Sequence, residues 1–210
     1  MDSNKKGWML SVCSLGKKYQ TFHLYNQNAV KLYRFSPIQN KEQLLEAIKH
    51  IHFACFDLCK QTFGKYLPVA GNMGVFCHYG DEYKVLTQIK KELTESSNNL
   101  NQKYFRLHDP IVIPAQDDVP ETTYTYLYVR KPDPYRAQAG DVDFVLEEDK
   151  YLELKKSLQS GSEIKGARVF ERPDLDMVEL YDPDVDALAY VSPRAMTEKV
   201  RVKQSEITKL

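Results

Sequence analysis

From Lys41 the apolar residues change rhythm. Leu44, Leu45, Ile48, Ile51, His52, Cys55, Phe56, Cys59, Phe63 and Tyr66 recur at every third or fourth position, the spacing that lines one face of an α-helix. This predicts one long amphipathic helix over 41–66, entered through Asn40 as its cap and stopped ahead of Pro68. A stripe that wide has to be covered by something apolar. The rest of the chain reads as that cover, because short alternating segments separated by turn-forming residues fill most of it.

Before the helix, strands are expected at 8–13, 19–25 and 29–35, as an antiparallel meander. Beyond it, Gly71-Asn-Met-Gly74 reads as a turn into a short strand at 75–79, and Asp81-Glu82 open a second helix that runs to about residue 95. Strands at 104–107 and 111–113 follow, interrupted by His108-Asp109-Pro110. The alternation of Thr123-Tyr-Thr-Tyr-Leu-Tyr-Val-Arg130 is strict enough to demand a strand. The last third gives a strand at 142–146, a helix at 147–158, and strands at 167–171, 177–181 and 188–192. The expected class is therefore α+β, with a mixed or mainly antiparallel sheet, the long helix at 41–66 and a C-terminal βαβββ unit. The expected organisation is 1–70 as strands plus the long helix, 71–192 as two βα-plus-strands units in one sheet system, and 193–210 as a polar tail that ends in a loosely held or disordered stretch, with one globular domain for the whole as the alternative.

Residues 142–192, read as strand, helix and three strands with Asp182-Pro183-Asp184 ahead of the last, resemble a vicinal oxygen chelate module of the glyoxalase and bleomycin-resistance proteins. In that family a His on the first strand and a Glu on the last typically hold a metal. Here the corresponding strands offer Asp143 and Tyr190 instead, so the resemblance implies a related sheet without the family's metal ligands.

Charge excludes some functions. With 29 Lys+Arg against 29 Asp+Glu the chain is formally neutral, so it lacks the broad positive field of a non-specific nucleic-acid binder. Residues 1–70 are nonetheless basic, with ten cationic and four acidic side chains. Lys17, Lys18, Tyr19, Lys31 and Arg34 interleave cations with aromatic rings there, as a single-stranded nucleic-acid surface does. No apolar run reaches the ~18 residues of a membrane span. Four cysteines in 210 residues suit a reduced, cytoplasmic protein rather than a disulfide scaffold.

His52, Cys55 and Cys59 share a helix face without a C-x₂-C pair, which favours burial over metal binding, and neither a metal nor a cofactor is expected. Asp117-Asp118, Asp141/Asp143 and Asp182/Asp184/Asp186 read as turn acids without the spacing of a calcium loop. Tyr124, Tyr126, Tyr128 and Arg130 fall on one face of their strand and make a stacking and hydrogen-bonding surface for a planar or anionic ligand, or for a protein. Three readings follow. The first is a soluble, non-catalytic binding or interaction protein using the Tyr124–Arg130 face, with a protein or small molecule as partner or a second copy of itself. The second is a metal-independent enzyme in which His78 and His108 do acid–base work with Glu82 as orienting carboxylate. The third is single-stranded nucleic-acid binding through the basic end.

Overall fold

The long helix, α1, spans Lys41–Phe63. The Asn40 side chain accepts a hydrogen bond from the Gln43 amide at 2.9 Å, Glu42 stands in the first turn and Lys60 in the last, so both ends suit the helix dipole. The helix stops at Gly64, whose φ of 69° is left-handed. This falls before Tyr66, because a left-handed glycine ends a helix earlier than the proline downstream of it would. Leu44, Ile48, Ile51, His52, Cys55, Phe56 and Cys59 are all buried. The computed structural model describes residues 33–99, 102–172 and 175–207. The strands expected at 8–13 and 19–25, and most of the one at 29–35, lie outside the described residues; Tyr33, Arg34 and Phe35 form a turn.

Seven strands cover α1: β1 Val69–Phe76, β2 Phe105–Ile113, β3 Thr122–Arg130, β4 Gly140–Val145, β5 Ala167–Arg172, β6 Leu175–Leu180 and β7 Ala187–Ser192. They form one sheet in the order β2-β3-β1-β4-β7-β6-β5. Helix α2, Gly80–Leu93, follows β1, and helix α3, Glu148–Gln159, follows β4. Thus β1-α2-β2-β3 and β4-α3-β5-β6-β7 each begin with a strand and a helix, and in each the first strand pairs in parallel with the last. The two first strands, β1 and β4, meet antiparallel at the centre. The protein is α+β with a mixed, mostly antiparallel sheet and a C-terminal βαβββ unit.

Alternation along each strand divides the sheet into two faces. Met73 and Val75, Leu127 and Val129, Val142 and Phe144, Val178 and Leu180, and Ala189 and Val191 belong to the core cluster that includes the α1 stripe. Asn72, Gly74 and Phe76, Asp141 and Asp143, Met177 and Glu179, and Leu188 and Tyr190 occupy the alternate positions and face the other way. On that second face Phe76, Met177, Leu188 and Tyr190 form a separate small apolar cluster.

One sequence expectation is corrected. Gly71-Asn-Met-Gly74 is not a turn but the middle of β1, buried throughout. Gly74 sits opposite Asp141 in the seam, and a Cβ there would lie 1.8 Å from an Asp141 carboxylate oxygen; the glycine makes room for that carboxylate rather than reversing the chain. The segment after Pro193 packs onto the sheet as far as residue 207, and the end of the tail lies outside the described residues. The segment forms a short helix, α4, Arg194–Lys199, whose Thr197 is buried, followed by buried Val202. Arg201 donates to Asn72 Oδ1 at 2.8 Å and to the Ala70 carbonyl at 2.7 Å, while Asn72 donates to the Thr197 carbonyl at 3.1 Å. The tail is thereby tied across the second face. No helix among the described residues is long and apolar enough to cross a membrane.

Candidate functional site

The second face carries two carboxylates in its middle. Asp141 and Asp143 stand two residues apart on β4, so both side chains leave the same face, and each is only 6% exposed. They line a cavity of about 210 Å³, the liquid volume of roughly seven water molecules. Each carboxylate has a defined neighbour. The Tyr104 hydroxyl donates to Asp141 Oδ1 at 3.2 Å, and the Asn72 amide donates to Asp143 Oδ2 at 2.7 Å. Burial pushes both acids above the usual carboxylate range; the nearby charge of Asp143 raises Asp141 further, while the Asn72 hydrogen bond pulls Asp143 part of the way back. Tyr104 is raised well above the ordinary phenol range by burial and by both aspartates, so it remains a hydroxyl donor.

Around this floor stand rings and cations. Phe76, Tyr128, Phe170 and Tyr190 supply the rings, and Lys103, Arg130, Arg136 and Arg172 supply positive charge. The guanidinium of Arg130 lies over Phe76 at 4.7 Å and that of Arg172 over Phe170 at 4.8 Å, an arrangement that fixes the heads by cation–π attraction. Arg130 is also paired with Asp133. Arg136 reaches Glu179 at 3.2 Å, and Tyr190 donates to the same carboxylate at 3.1 Å. Glu179 is fully buried and its second oxygen is held by Arg168, which closes that side of the wall. Arg172 and Lys103 form no ion pair among the described residues. Burial lowers the ammonium of Lys103, the like charges of Arg172 and Arg130 lower it further, and the nearby Asp141 and Asp143 pull it part of the way back.

Of the four residues expected to share a face of β3, only three do. Tyr124 is fully buried on the α1 side, where its hydroxyl shares a 2.8 Å hydrogen bond with His52 Nδ1. Tyr126, Tyr128 and Arg130 lie on the second face: Arg201 covers Tyr126 at 4.4 Å, and Tyr128 packs 5.4 Å from Tyr104. The register between β2 and β3 shifts between Arg106 and Ile111, and the alternation of β3 reverses its phase opposite that irregularity. Burial lowers His52 to about 4, so it is a neutral core residue.

The enzyme reading required His78 and His108 to converge, and they stand apart. His78 follows β1 beyond Phe76, which is level with Arg130, whereas His108 lies in the bulged part of the outermost strand, between the positions paired with Tyr124 and Tyr126. His108 is exposed. Along the strands this separates them by roughly 15–25 Å. Ser36 Oγ lies 2.6 Å from His78 Nδ1, and burial lowers the imidazolium. Glu82 is buried as a helix cap, accepting from the amides of Ile38, His78 and Tyr79 at 2.9, 2.7 and 3.2 Å. Lys17, Lys18, Tyr19 and Lys31 lie outside the described residues. Arg34 is an exposed turn residue near Asp186, at 3.9 Å, and hydrogen-bonds to His50 at 3.2 Å.

No group of three or more His, Cys, Asp and Glu among the described residues is arranged to hold a metal ion. Cys55 is engaged with the Leu188 carbonyl, and Asp182 accepts from the Asp184 amide within its turn. Sequence reasoning passed over the Asp141/Asp143 pair as turn acids. The signal was present in Gly-Asp-Val-Asp-Phe, where two acids alternate with strongly apolar residues and must share a strand face.

No protein-family model and no curated protein matches the chain. A solved structure similar to it is that of Streptomyces coelicolor methylmalonyl-CoA epimerase in complex with 2-nitronate-propionyl-CoA, at 15% identity and a TM-score of 0.27, spanning 60% of this chain and 99% of that one.

Proposed function

We propose that the protein binds a compact small molecule on the second face of its sheet, with an N–H or O–H donor group directed at Asp141 and Asp143 and an anionic group directed at Lys103 and Arg172. One observation carries this reading: two buried carboxylates open onto a ring-lined cavity whose wall also holds Lys103 and Arg172, which form no ion pair among the described residues. A ligand with a donor at one end and an anion at the other would meet both sets, and the rings would take its apolar body. Tyr128 and Arg130 are then the members of the β3 face that touch the ligand, and Tyr126 is a support beneath Arg201.

The test uses 4-aminobenzoate, which carries an N–H donor, a ring and a carboxylate in line. Titration into ¹⁵N-labelled protein should shift the amides of Tyr128–Arg130 and Asp141–Asp143, with a dissociation constant in the millimolar range expected of so small a ligand. Arg172→Ala should weaken binding several-fold, and Met177→Trp, which fills the cavity, should abolish it while amide dispersion reports a folded chain. Shifts confined to the α1 side, or binding indifferent to both substitutions, would reject the site.

A further inference from the structure

The cavity does not end at Arg130. A larger groove of about 810 Å³ adjoins it, and Lys103, Tyr128 and Arg130 line both. The groove runs between α2, the start of β2 and the 131–135 segment. Five cations face it: Lys90, Lys91, Lys103, Arg130 and Lys131. Two acids share it, Glu95 and Asp133, and Asp133 is already engaged by Arg130. None of the four lysines forms an ion pair among the described residues. The like charges act on one another: burial and the neighbouring charge of Lys91 lower the ammonium of Lys90, as Arg172 and Arg130 do that of Lys103.

Rings line the same groove. Lys90 sits 3.8 Å over the Phe105 ring, Tyr128 closes the inner end, and Tyr135, 93% exposed, stands at the lip. Cations held close together repel one another in the empty protein, and a multiply charged anion relieves that repulsion. The neighbouring rings supply faces on which a planar group can stack.

We infer that this groove is a subsite for the phosphate groups of an elongated ligand, a phosphorylated compound with a planar ring, whose far end reaches the cavity floored by Asp141 and Asp143. The inference rests on the ligand reading of that cavity and adds the substrate class. Lys90, Lys91, Lys103 and Lys131 neutralise the phosphates, and Tyr128 and Tyr135 border the ring.

The experiment is calorimetric titration with inorganic pyrophosphate and, separately, with ADP. Pyrophosphate should bind, and its affinity should fall at least ten-fold in the double variant Lys91→Glu/Lys131→Glu. Both positions are exposed, so their replacement leaves the fold intact. Raising ionic strength should weaken binding in the wild type far more than in the variant. ADP should bind at least ten-fold tighter than pyrophosphate, through the ring. Absence of pyrophosphate binding, or equal affinity in the double variant, overturns the phosphate subsite; ADP no tighter than pyrophosphate overturns the planar group. An oligothymidylate bound more tightly than ADP overturns the small-molecule assignment in favour of a nucleic-acid backbone. The 4-aminobenzoate shifts separate the two claims: their persistence with no pyrophosphate binding leaves the inner cavity standing and removes only this subsite, whereas loss of both removes the reading beneath it.

Discussion

Asp141 concentrates the chemistry of this molecule in one side chain. It lies over Gly74, accepts from Tyr104, and shares a buried face with Asp143. Because its carboxyl group titrates above the ordinary range, the folded chain holds that proton more tightly than the unfolded chain does. The resulting stability is fully present below the unfolded carboxyl's value of about 3.9 and is lost progressively as pH rises from there through the raised range. Asp141→Asn keeps an acceptor for Tyr104 and removes the charge. Its urea midpoint should therefore match the wild type at pH 3 and exceed it at pH 8, by roughly 1–3 kcal/mol of stability; an equal change at both pH values would show that the carboxyl group is not held protonated. At this scale the sequence was least legible. Asp141 and Asp143 looked like turn acids because nothing local reveals that β1 supplies a glycine opposite one of them. Glu82 looked like a catalytic orienter, but its spacing from Tyr79 is equally that of a helix cap.

Elements were read better than residues. The three-to-four spacing after Lys41 gave α1 its start, its cap and its buried face, and the strict alternation at 123–130 gave β3. Long periodic segments carry their own signal. What alternation alone did not carry is the phase reversal within β3, because a bulge belongs to the pairing of two strands and the other member is β2. That reversal sends Tyr124 to the core, where it shares a hydrogen bond with His52. Tyr124→Phe leaves the imidazole nitrogen without its partner inside the core, and should cost about 1–3 kcal/mol in urea denaturation. Binding of 4-aminobenzoate should not change. A loss of binding with no loss of stability would place the Tyr124 hydroxyl on the ligand side of the sheet. The turn expected at Gly71–Gly74 failed for a related reason: glycines signal punctuation, and only the partner strand shows that these admit a neighbour's side chain.

Across the whole molecule, the tail and the sheet close the site together. Arg201 joins the tail to Asn72 and to the Ala70 carbonyl, and Asn72 in turn holds Asp143. Arg201→Ala should therefore act at both ends of that chain of contacts. Hydrogen exchange should accelerate across 194–207 while α1 stays protected, and stability should fall by roughly 1–3 kcal/mol; uniform acceleration through α1 would mean that the tail belongs to the global core. The antiparallel seam of β1 and β4 also governs how the chain reaches this state. The central pairings β3 with β1, β1 with β4, and β4 with β7 join residues roughly fifty to seventy positions apart, so the middle of the sheet has to wait for distant partners and the folding rate belongs with the slower mixed topologies. On a ribosome β1 emerges well before β4, with one edge unpaired. The glycine that admits Asp141 in the finished protein then does earlier work: it makes that waiting edge a poor template for adhesion to a neighbouring nascent chain.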